Sequence, residues 1–362
     1  MLSFLEIKPK SFGLDISDLS LKLVKLKKGK GGKFNLVSFG ESSISPGIVE
    51  EGEVKDEKAL AETIKKTISK VKGEKIKTNY VICSLPEEKS FLKVIQMPKI
   101  KKGDLKMAVR YEAENYIPFA REEVYLDSQV IVPLKDHLDH HDILIIGFPK
   151  SIVDPYISSL KKAGLQPLVL EHESSAVARA LIKDDVSPYP VLLVDFGATS
   201  TSFIVFSGRA LRFTSSVLVS SKDFTDAIAK ELKIEEKEAE DMKIKYGIEG
   251  KEGRKLLKAL IPCLTDFTEQ IKKYLKFYNT HASHEHLLSD YDGIQRIFLC
   301  GGGANLKGLP EFLAERIGIK VELGDPLVNI IKSKKSLISK SDSLKYTTAL
   351  GLSLRGVKEN YD

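Results

Sequence analysis

One stretch of the chain places a carboxylate, a glycine and hydroxyl side chains directly after an apolar run. The apolar residues 191–194 lead into Asp195, and small residues follow it, namely Gly197, Ala198, Thr199 and Ser200. Small residues let backbone N–H groups approach an anion closely, and an aspartate at the end of a strand can reach a metal ion or its water shell. The stretch is therefore a candidate phosphate- and metal-binding turn. An ordinary hairpin whose aspartate caps the turn is the alternative.

The same order of residue types occurs near the N-terminus. Within segment 12–24, Asp15 ends an apolar run, Ser17 and Ser20 lie in the turn, and Lys22 lies in the returning run. Both stretches are predicted to form a strand, a turn and a second strand. Two aspartate-bearing hairpins suggest a duplicated pair of domains that holds one phosphate chain between them.

A run of three glycines forms the third candidate element. Gly301, Gly302 and Gly303 follow the apolar residues 297–300, and a helix is predicted to open at Pro310. Glycines at this position allow the backbone to pack against a flat ligand such as adenosine.

These three elements, in this order, resemble the actin-like ATPase superfamily and, more narrowly, the PilM family of type IV pilus assembly proteins, which is related to FtsA. The segments that carry the closer match span nearly the whole chain, namely 13–22, 92–98, 115–119, 195–201, 239–243, 301–306 and 349–352. The resemblance implies a two-lobed α/β fold of duplicated ribonuclease-H-like domains, with a small inserted α+β subdomain in the first lobe.

The resemblance also implies ATP and Mg²⁺ as cofactors. Asp15 and Asp195 are expected to hold Mg²⁺ through its water shell, which suits a hard ion that keeps its waters. Glu173, at the start of a predicted helix, is expected to place the attacking water as the catalytic residue. The resemblance places Glu240 and Lys243 near the ribose and adenine. The implied cofactor-binding residues are Asp15, Ser17, Ser20, Lys22, Asp195, Gly197, Ala198, Thr199, Ser200, Glu240, Lys243, Gly301, Gly302, Gly303 and Asn305.

Several of these residues have alternative interpretations. Glu171 is a nearby candidate for the role of Glu173, and Glu173 could simply stabilise a helix N-terminus. Glu240 and Lys243 lie three residues apart on a predicted helix, so they could form a surface ion pair.

The first hairpin departs from the family pattern. Where a glycine and then a hydroxyl residue are expected, the chain has Ser17 and then Asp18. Ser17 is expected to restrict the approach of the backbone to phosphate, and Asp18 adds negative charge unless it faces Mg²⁺ or solvent. We therefore expect ATP binding, and whether the protein is a weak ATPase stays open.

The expected domain organisation follows the order of these elements. The first lobe comprises 1–84, 150–188 and 346–362, the inserted subdomain 85–149, and the second lobe 189–345 with a helical subdomain at 220–293. Helical spacing predicts a helix capped by Asp104, a long amphipathic helix over 253–281 with a kink at Pro262, and an irregular connection over 332–343. Ala349 and Gly351 are expected to let the last helix pack closely.

Bulk properties are those of an ordinary globular protein. The chain has 362 residues, a formal net charge of +6 and three cysteines. The lysines are spread without an aromatic-interleaved patch, so no nucleic-acid partner is expected. Cys83, Cys263 and Cys300 stand singly in apolar contexts and are predicted to be core residues. No apolar run approaches the length of a membrane span, so we expect a cytoplasmic protein without direct membrane insertion.

The resemblance implies that membrane association comes through a partner. In that family the inserted subdomain helps to form a groove for the N-terminal cytoplasmic peptide of an inner-membrane pilus assembly protein, PilN-like, and Tyr116, Ile117 and Phe119 are candidate groove or core residues. The pilus motor or platform proteins are further expected partners. The expected role is an ATP-binding cytoplasmic component of type IV pilus or related secretion machinery, peripheral to the inner membrane.

Two alternatives share the fold. A sugar kinase or phosphatase would need a polar substrate pocket with a catalytic aspartate, and the sequence offers no convincing candidate. An FtsA-like cell-division protein would carry a C-terminal amphipathic membrane helix, and residues 355–362 are too short and polar for one.

Overall fold

The computed structural model describes residues 9–29, 34–100, 102–134, 138–281, 293–331 and 337–358. Its strands are β1 (Ser11–Ile16), β2 (Ser20–Lys28), β3 (Phe34–Ser43), β4 (Val49–Glu50), β5 (Glu53–Val54), β6 (Lys72–Gly73), β7 (Tyr80–Leu85), β8 (Phe91–Pro98), β9 (Val124–Val130), β10 (His140–Pro149), β11 (Gln166–His172), β12 (Ser187–Phe196), β13 (Thr201–Gly208), β14 (Ala210–Val217), β15 (Arg296–Cys300) and β16 (Lys320–Leu323). Its helices are α1 (Glu57–Ser69), α2 (Lys102–Ala113), α3 (Lys150–Lys162), α4 (Glu173–Leu181), α5 (Ser221–Leu232), α6 (Glu236–Tyr246), α7 (Gly250–His281), α8 (Leu309–Ile317), α9 (Lys340–Leu344) and α10 (Thr347–Lys358).

Two large sheets repeat one topology. The first runs β11-β7-β1-β2-β3-β6 and the second runs β16-β15-β12-β13-β14. In each sheet an antiparallel hairpin, β1–β2 or β12–β13, is followed outward by a strand parallel to its first member, β7 or β15. This duplication is that of the predicted two-lobed α/β fold. We call the first sheet with α1 and α3 the first lobe, and the second sheet with α5 to α8 the second lobe.

Residue types account for the burial of two central strands and for the start of two helices. All residues of β1 and β13 are buried, as expected for strands covered on both faces. The Asp56 carboxylate caps α1 by accepting from the N–H groups of Lys58 and Ala59, both at 3.0 Å. Ser220 and Asp223 form a capping box at the start of α5, next to the second hairpin.

The inserted subdomain is a three-stranded sheet, ordered β8-β10-β9, with α2 on one face. That face packs through Ile95, Met97, Leu105, Val109, Ala113, Ile143 and Ile145. Alternate residues of the strands, among them Leu92, Val94 and Leu144, belong to the core of the second lobe instead. An Arg212–Asp142 ion pair at 2.5 Å joins β14 to β10. The subdomain is therefore held between the two lobes.

Helices α4 and α10 cross where the lobes meet. A Cβ atom on Gly351 would lie only 1.8 Å from the Ala176 carbonyl oxygen, and one on Gly13 would lie 2.5 Å from the Ala349 carbonyl oxygen. Glycine is thus required at both positions for the backbones to approach. This confirms the predicted close packing of the last helix.

Three local predictions need correction. Helix α2 begins at Lys102, so Asp104 lies in its first turn and does not cap it. Helix α7 begins at Gly250 and not at Gly253, while the kink at Pro262, which lies inside the helix, stays a prediction. The segment 332–343 contains α9, capped by Ser339, and its residues 332–336 lie outside the described chain. In the part of the chain that the structure describes, no helix is both long and apolar enough to cross a membrane.

Candidate functional site

The two hairpin turns have the same backbone geometry. Residues 17–20 and 197–200 separate the paired strands, and the first residue of each turn donates its N–H to the carbonyl of the fourth, at 2.9 Å and 3.0 Å. A Cβ atom on Gly197 would lie 2.8 Å from the Ser200 carbonyl oxygen, so the second turn requires glycine there. The first two N–H groups of α5 donate to the carbonyls of Gly197 and Ala198. Among the described residues, the N–H groups of Ala198, Thr199 and Ser200 have no protein acceptor, as an anion-binding turn requires.

Asp15 lies at the end of β1 and is 6% exposed. Its Oδ1 accepts a hydrogen bond from Ser84 Oγ at 3.1 Å, and its Oδ2 lies 4.0 Å from Lys22 Nζ. Burial raises the pKa of Asp15, while Lys22 and Ser84 partly oppose that shift. The carboxylate is therefore costly to ionise without a cation nearby.

Asp195 lies at the equivalent end of β12. Burial, with the nearby charge of Asp15, raises the pKa of Asp195 to about 6. A Cβ atom on Gly301 would lie 2.4 Å from Asp195 Oδ1, so this glycine makes room for the carboxylate. Because the charge of Asp15 contributes to the raised pKa of Asp195, the two predicted metal-binding residues lie near each other where the lobes meet. We call this region the interlobe site.

Glu173 is the first residue of α4 and lies in the same interlobe site as the two aspartates. Burial, then the charges of Asp15, Glu88 and Asp195, raise its pKa well above the usual range for a carboxyl. Its Oε2 accepts from the Glu87 backbone N–H at 3.3 Å.

The alternative residue, Glu171, points elsewhere. It accepts from Arg179 at 2.6 and 2.8 Å and from Arg355 at 2.8 Å, so it is a buried ion-pair residue. The structure thus places Glu173, and not Glu171, beside the two aspartates.

The first turn is fastened by its own side chains. Ser17 Oγ donates to the Ser20 carbonyl at 3.0 Å, and Lys22 Nζ donates to Ser20 Oγ at 2.6 Å. The Asp18 carboxylate accepts from the N–H groups of Glu51 and Gly52, at 3.1 and 2.9 Å. Asp18 therefore anchors the small β4–β5 hairpin, a role that neither of the two alternatives for Asp18 had foreseen.

Glu240 and Lys243 connect α6 to α5. Lys243 is 6% exposed, and its Nζ donates to the Ser221 carbonyl at 2.8 Å, to Thr225 Oγ1 at 2.6 Å and to Glu240 Oε2 at 2.7 Å. This pair is thus partly buried and packs against α5, the helix whose first N–H groups contact the second turn.

The three consecutive glycines differ in surroundings. Gly301 and Gly303 pack within the protein, since a Cβ atom on either would lie within 2.5 Å of Asp195 or Phe196. Gly302 is exposed, and a Cβ atom there would meet nothing closer than 4.0 Å. The Asn305 side chain fixes the turn by donating to the carbonyls of Gly302 and Ser341, at 3.4 and 3.1 Å. Gly302 is the glycine with room for a ligand.

The sequence analysis missed several residues that surround Asp15, Asp195 and Glu173. Glu87 is buried, lies 3.1 Å from His172 Nε2 and accepts from Ser174 Oγ. The His172 Nδ1 is buried without a hydrogen-bond partner. Ser84 and Cys300 lie opposite the two aspartates on neighbouring strands. Their only signal in the sequence is a position near the end of a buried strand.

The residues present fit a hydrated divalent cation. Asp15 is buried, and Asp195 and Glu173 are half-buried. All three have raised pKa values because they are withdrawn from water and lie close together, with Lys22 as the adjacent cationic side chain. A cation would offset this concentration of negative charge. No set of three or more His, Cys, Asp or Glu side chains in the described chain forms a direct ligand cage. The pair of aspartates therefore suits an ion that keeps most of its waters.

A cavity of about 750 Å³ lies between the inserted subdomain and the first lobe. We call it the edge groove, because residues 125–129 of β9 and 167–172 of β11 line it, and both strands are sheet edges. Ile117 and Phe119 line a smaller adjoining cavity of about 300 Å³. Tyr116 packs under the Lys93 ammonium, 4.1 Å from the ring centre.

Comparison with known proteins gives concordant results. The family model described as Type IV pilus assembly protein PilM matches residues 13–357. The cell division protein FtsA of Streptococcus pneumoniae serotype 2 is 24% identical over 351 residues, which cover 87% of this chain and 75% of FtsA.

Solved structures agree with this assignment. A PilM–PilN type IV pilus biogenesis complex aligns with a TM-score of 0.80 and 28% identity, covering 98% of this chain and 100% of that chain. An MreB protein of Spiroplasma citri bound to ADP aligns with a TM-score of 0.54 and 14% identity over 95% of each chain, a likeness of fold alone. The chain belongs to the family of the type IV pilus assembly protein PilM.

Proposed function

We propose that this protein is an ATP-binding component of type IV pilus or related secretion machinery that docks a segment of an inner-membrane, PilN-like partner. The observation that carries the nucleotide part is the proximity of Asp15, Asp195 and Glu173, together with two hairpin turns of matching backbone geometry. The PilM–PilN complex among its relatives supports the partner.

The nucleotide would lie between the lobes. The free N–H groups of the second turn and the Lys22 ammonium would hold phosphates, and Asp15 with Asp195 would hold Mg²⁺ through its waters. The ion, when bound, neutralises developing charge on the phosphates. Glu173 would orient a water. Gly302 and the α6 pair Glu240 and Lys243 would contact the adenosine.

The edge groove is the proposed partner site. Because consecutive residues of β9 and β11 line it, the main chains of two unpaired sheet edges face the same cavity. An extended peptide can add to such an edge through main-chain hydrogen bonds, with side chains alternating into pockets. Leu126, Leu144, Ile146 and Ile157 supply apolar lining, so apolar side chains of the partner would be favoured.

Location follows from this partner. Docked to the cytoplasmic end of an inner-membrane protein, the chain would be cytoplasmic and peripheral to the membrane. Contacts with motor or platform proteins would extend the same role. A kinase or phosphatase of this fold, and an FtsA-like division protein, are less favoured because the closely similar solved structure is a pilus complex.

Calorimetric titration tests the partner site. The probe is a synthetic peptide of the N-terminal cytoplasmic residues of the PilN-like protein from the same organism. We expect Ile157→Arg, in the groove, to weaken binding at least tenfold, since a buried anchor position would gain an unpaired charge. Ile244→Arg, an identical change at a 62% exposed position on α6, is the control. Equal binding by both variants would refute the site.

A further inference from the structure

Each candidate metal-binding aspartate lies beside a residue of the adjacent parallel strand. In the first lobe Leu14 pairs with Cys83, which sets Ser84 beside Asp15. In the second lobe Asp195 pairs with Cys300. The duplicated sheets thus place one small polar side chain in equivalent positions next to each carboxylate.

Ser84 fixes the orientation of Asp15. Its side chain is completely buried, it donates to Asp15 Oδ1 at 3.1 Å, and it accepts from the Ile16 N–H at 3.2 Å. The hydroxyl therefore uses its single donor and one of its two acceptor lone pairs. Oδ1 is tied to β7, while Oδ2 stays on the side of Lys22, 4.0 Å away.

Cys300 stands in the same relation to Asp195. The thiol is completely buried, and the register of β12 and β15 places Cys300 directly beside Asp195. Gly301 follows it, and the 2.4 Å distance from its notional Cβ to Asp195 Oδ1 shows how closely this carboxylate is enclosed. A thiol is a weaker donor than a hydroxyl, but here it is held in place by the strand register.

We propose that Ser84 and Cys300 are positioning residues that aim the Asp15 and Asp195 carboxylates at the water shell of the nucleotide-bound cation. This inference rests on the proposed ATP and Mg²⁺ binding. Neither residue touches the nucleotide. Groups that orient metal-binding residues in this way commonly change metal affinity by 10–100-fold.

Titration with Mn²⁺, followed by electron paramagnetic resonance in the presence of excess ATP, tests the proposal. We expect Ser84→Ala and Cys300→Ala each to weaken Mn²⁺ binding about tenfold. The affinity for ATP in EDTA should change less than twofold. The exchanges Ser84→Cys and Cys300→Ser keep a donor and should stay within about threefold of the unmodified protein.

Ser38→Ala is the matched control, because Ser38 is equally buried in the first lobe but its Oγ bonds to the Glu74 carbonyl. Unchanged Mn²⁺ affinity in both alanine variants would overturn the inference. So would an equal loss of Mn²⁺ and metal-free ATP binding, which indicates general disruption. If the unmodified protein binds neither ATP nor Mn²⁺–ATP, the proposed function itself fails, and the inference with it.

Discussion

Glu173 accepts a hydrogen bond through its Oε2 from the backbone N–H of Glu87, at 3.3 Å. Glu87 lies in the loop that leads from β7 into the inserted subdomain, and its own carboxylate contacts His172 and Ser174. The residue proposed to orient water is thus held by the segment that connects the sheet of the first lobe to the inserted subdomain.

Replacing the Glu173 carboxylate should affect ATP hydrolysis without weakening ATP binding. Glu173→Gln keeps the size of the side chain but removes its function as a base, so any ATP hydrolysis should fall by at least about 100-fold. ATP affinity should be retained or increased, because the amide has the size of the carboxyl group and can carry no negative charge towards the phosphates. Single-turnover assays with radiolabelled ATP measure both quantities, and unchanged hydrolysis would exclude Glu173 from the reaction.

The neighbouring glutamate should behave in the opposite way. Glu171→Ala removes the shared partner of Arg179 and Arg355, so we expect a loss of about 3 kcal/mol in unfolding free energy. Urea denaturation measures this loss. If Glu171→Ala were as stable as the unmodified protein yet lost only hydrolysis, the two glutamates would have been assigned in the wrong order.

The helix crossing predicts a strong steric effect. Gly351→Ala would place Cβ 1.8 Å from the Ala176 carbonyl oxygen, so α4 and α10 must separate, at a cost of about 3 kcal/mol. Gly302→Ala is the control, since its Cβ has open space and should cost no more than about 0.5 kcal/mol. Thermal unfolding compares the two, and similar melting temperatures would contradict the described packing.

The raised pKa of Asp195 makes stability depend on pH when no divalent cation is present. The folded-state pKa is about 6, above the ordinary 3.8, so the folded protein binds this proton more tightly than the unfolded chain. The stabilising contribution is therefore complete below the ordinary value and is lost as the pH rises through about 6. For this partly exposed group it amounts to about 2 kcal/mol.

Urea denaturation of the metal-free protein from acidic to neutral pH measures this contribution. Asp195→Asn lacks the titrating group, so the difference in unfolding free energy between the unmodified protein and this variant should change across that range. A constant difference would show that Asp195 has an ordinary pKa.

Local patterns in the sequence were sufficient to predict the hairpins and the requirement for Gly351. Each depends on residues close in sequence or on the absence of a side chain. The role of Asp18 depends on the N–H groups of Glu51 and Gly52, which are brought to it only by the tertiary fold. The partners of the aspartates, Ser84 and Cys300, depend on the register of parallel strands, which the sequence does not specify locally.

The edge groove is another feature that local sequence patterns do not specify. Aromatic residues after α2 were natural candidates for a peptide site, but the larger cavity lies between β9 and β11. Its lining is set by the packing of the inserted subdomain against both lobes, a relationship between distant segments.

Equilibrium dialysis of the purified protein against ATP with Mg²⁺ tests the central claim most directly, with the Asp15→Asn, Asp195→Asn double variant as comparison. We expect saturable binding of one ATP per chain that depends on Mg²⁺ and is strongly reduced in the variant. No saturable binding at cellular ATP concentrations, or equal binding by both proteins, would contradict a nucleotide site between Asp15 and Asp195.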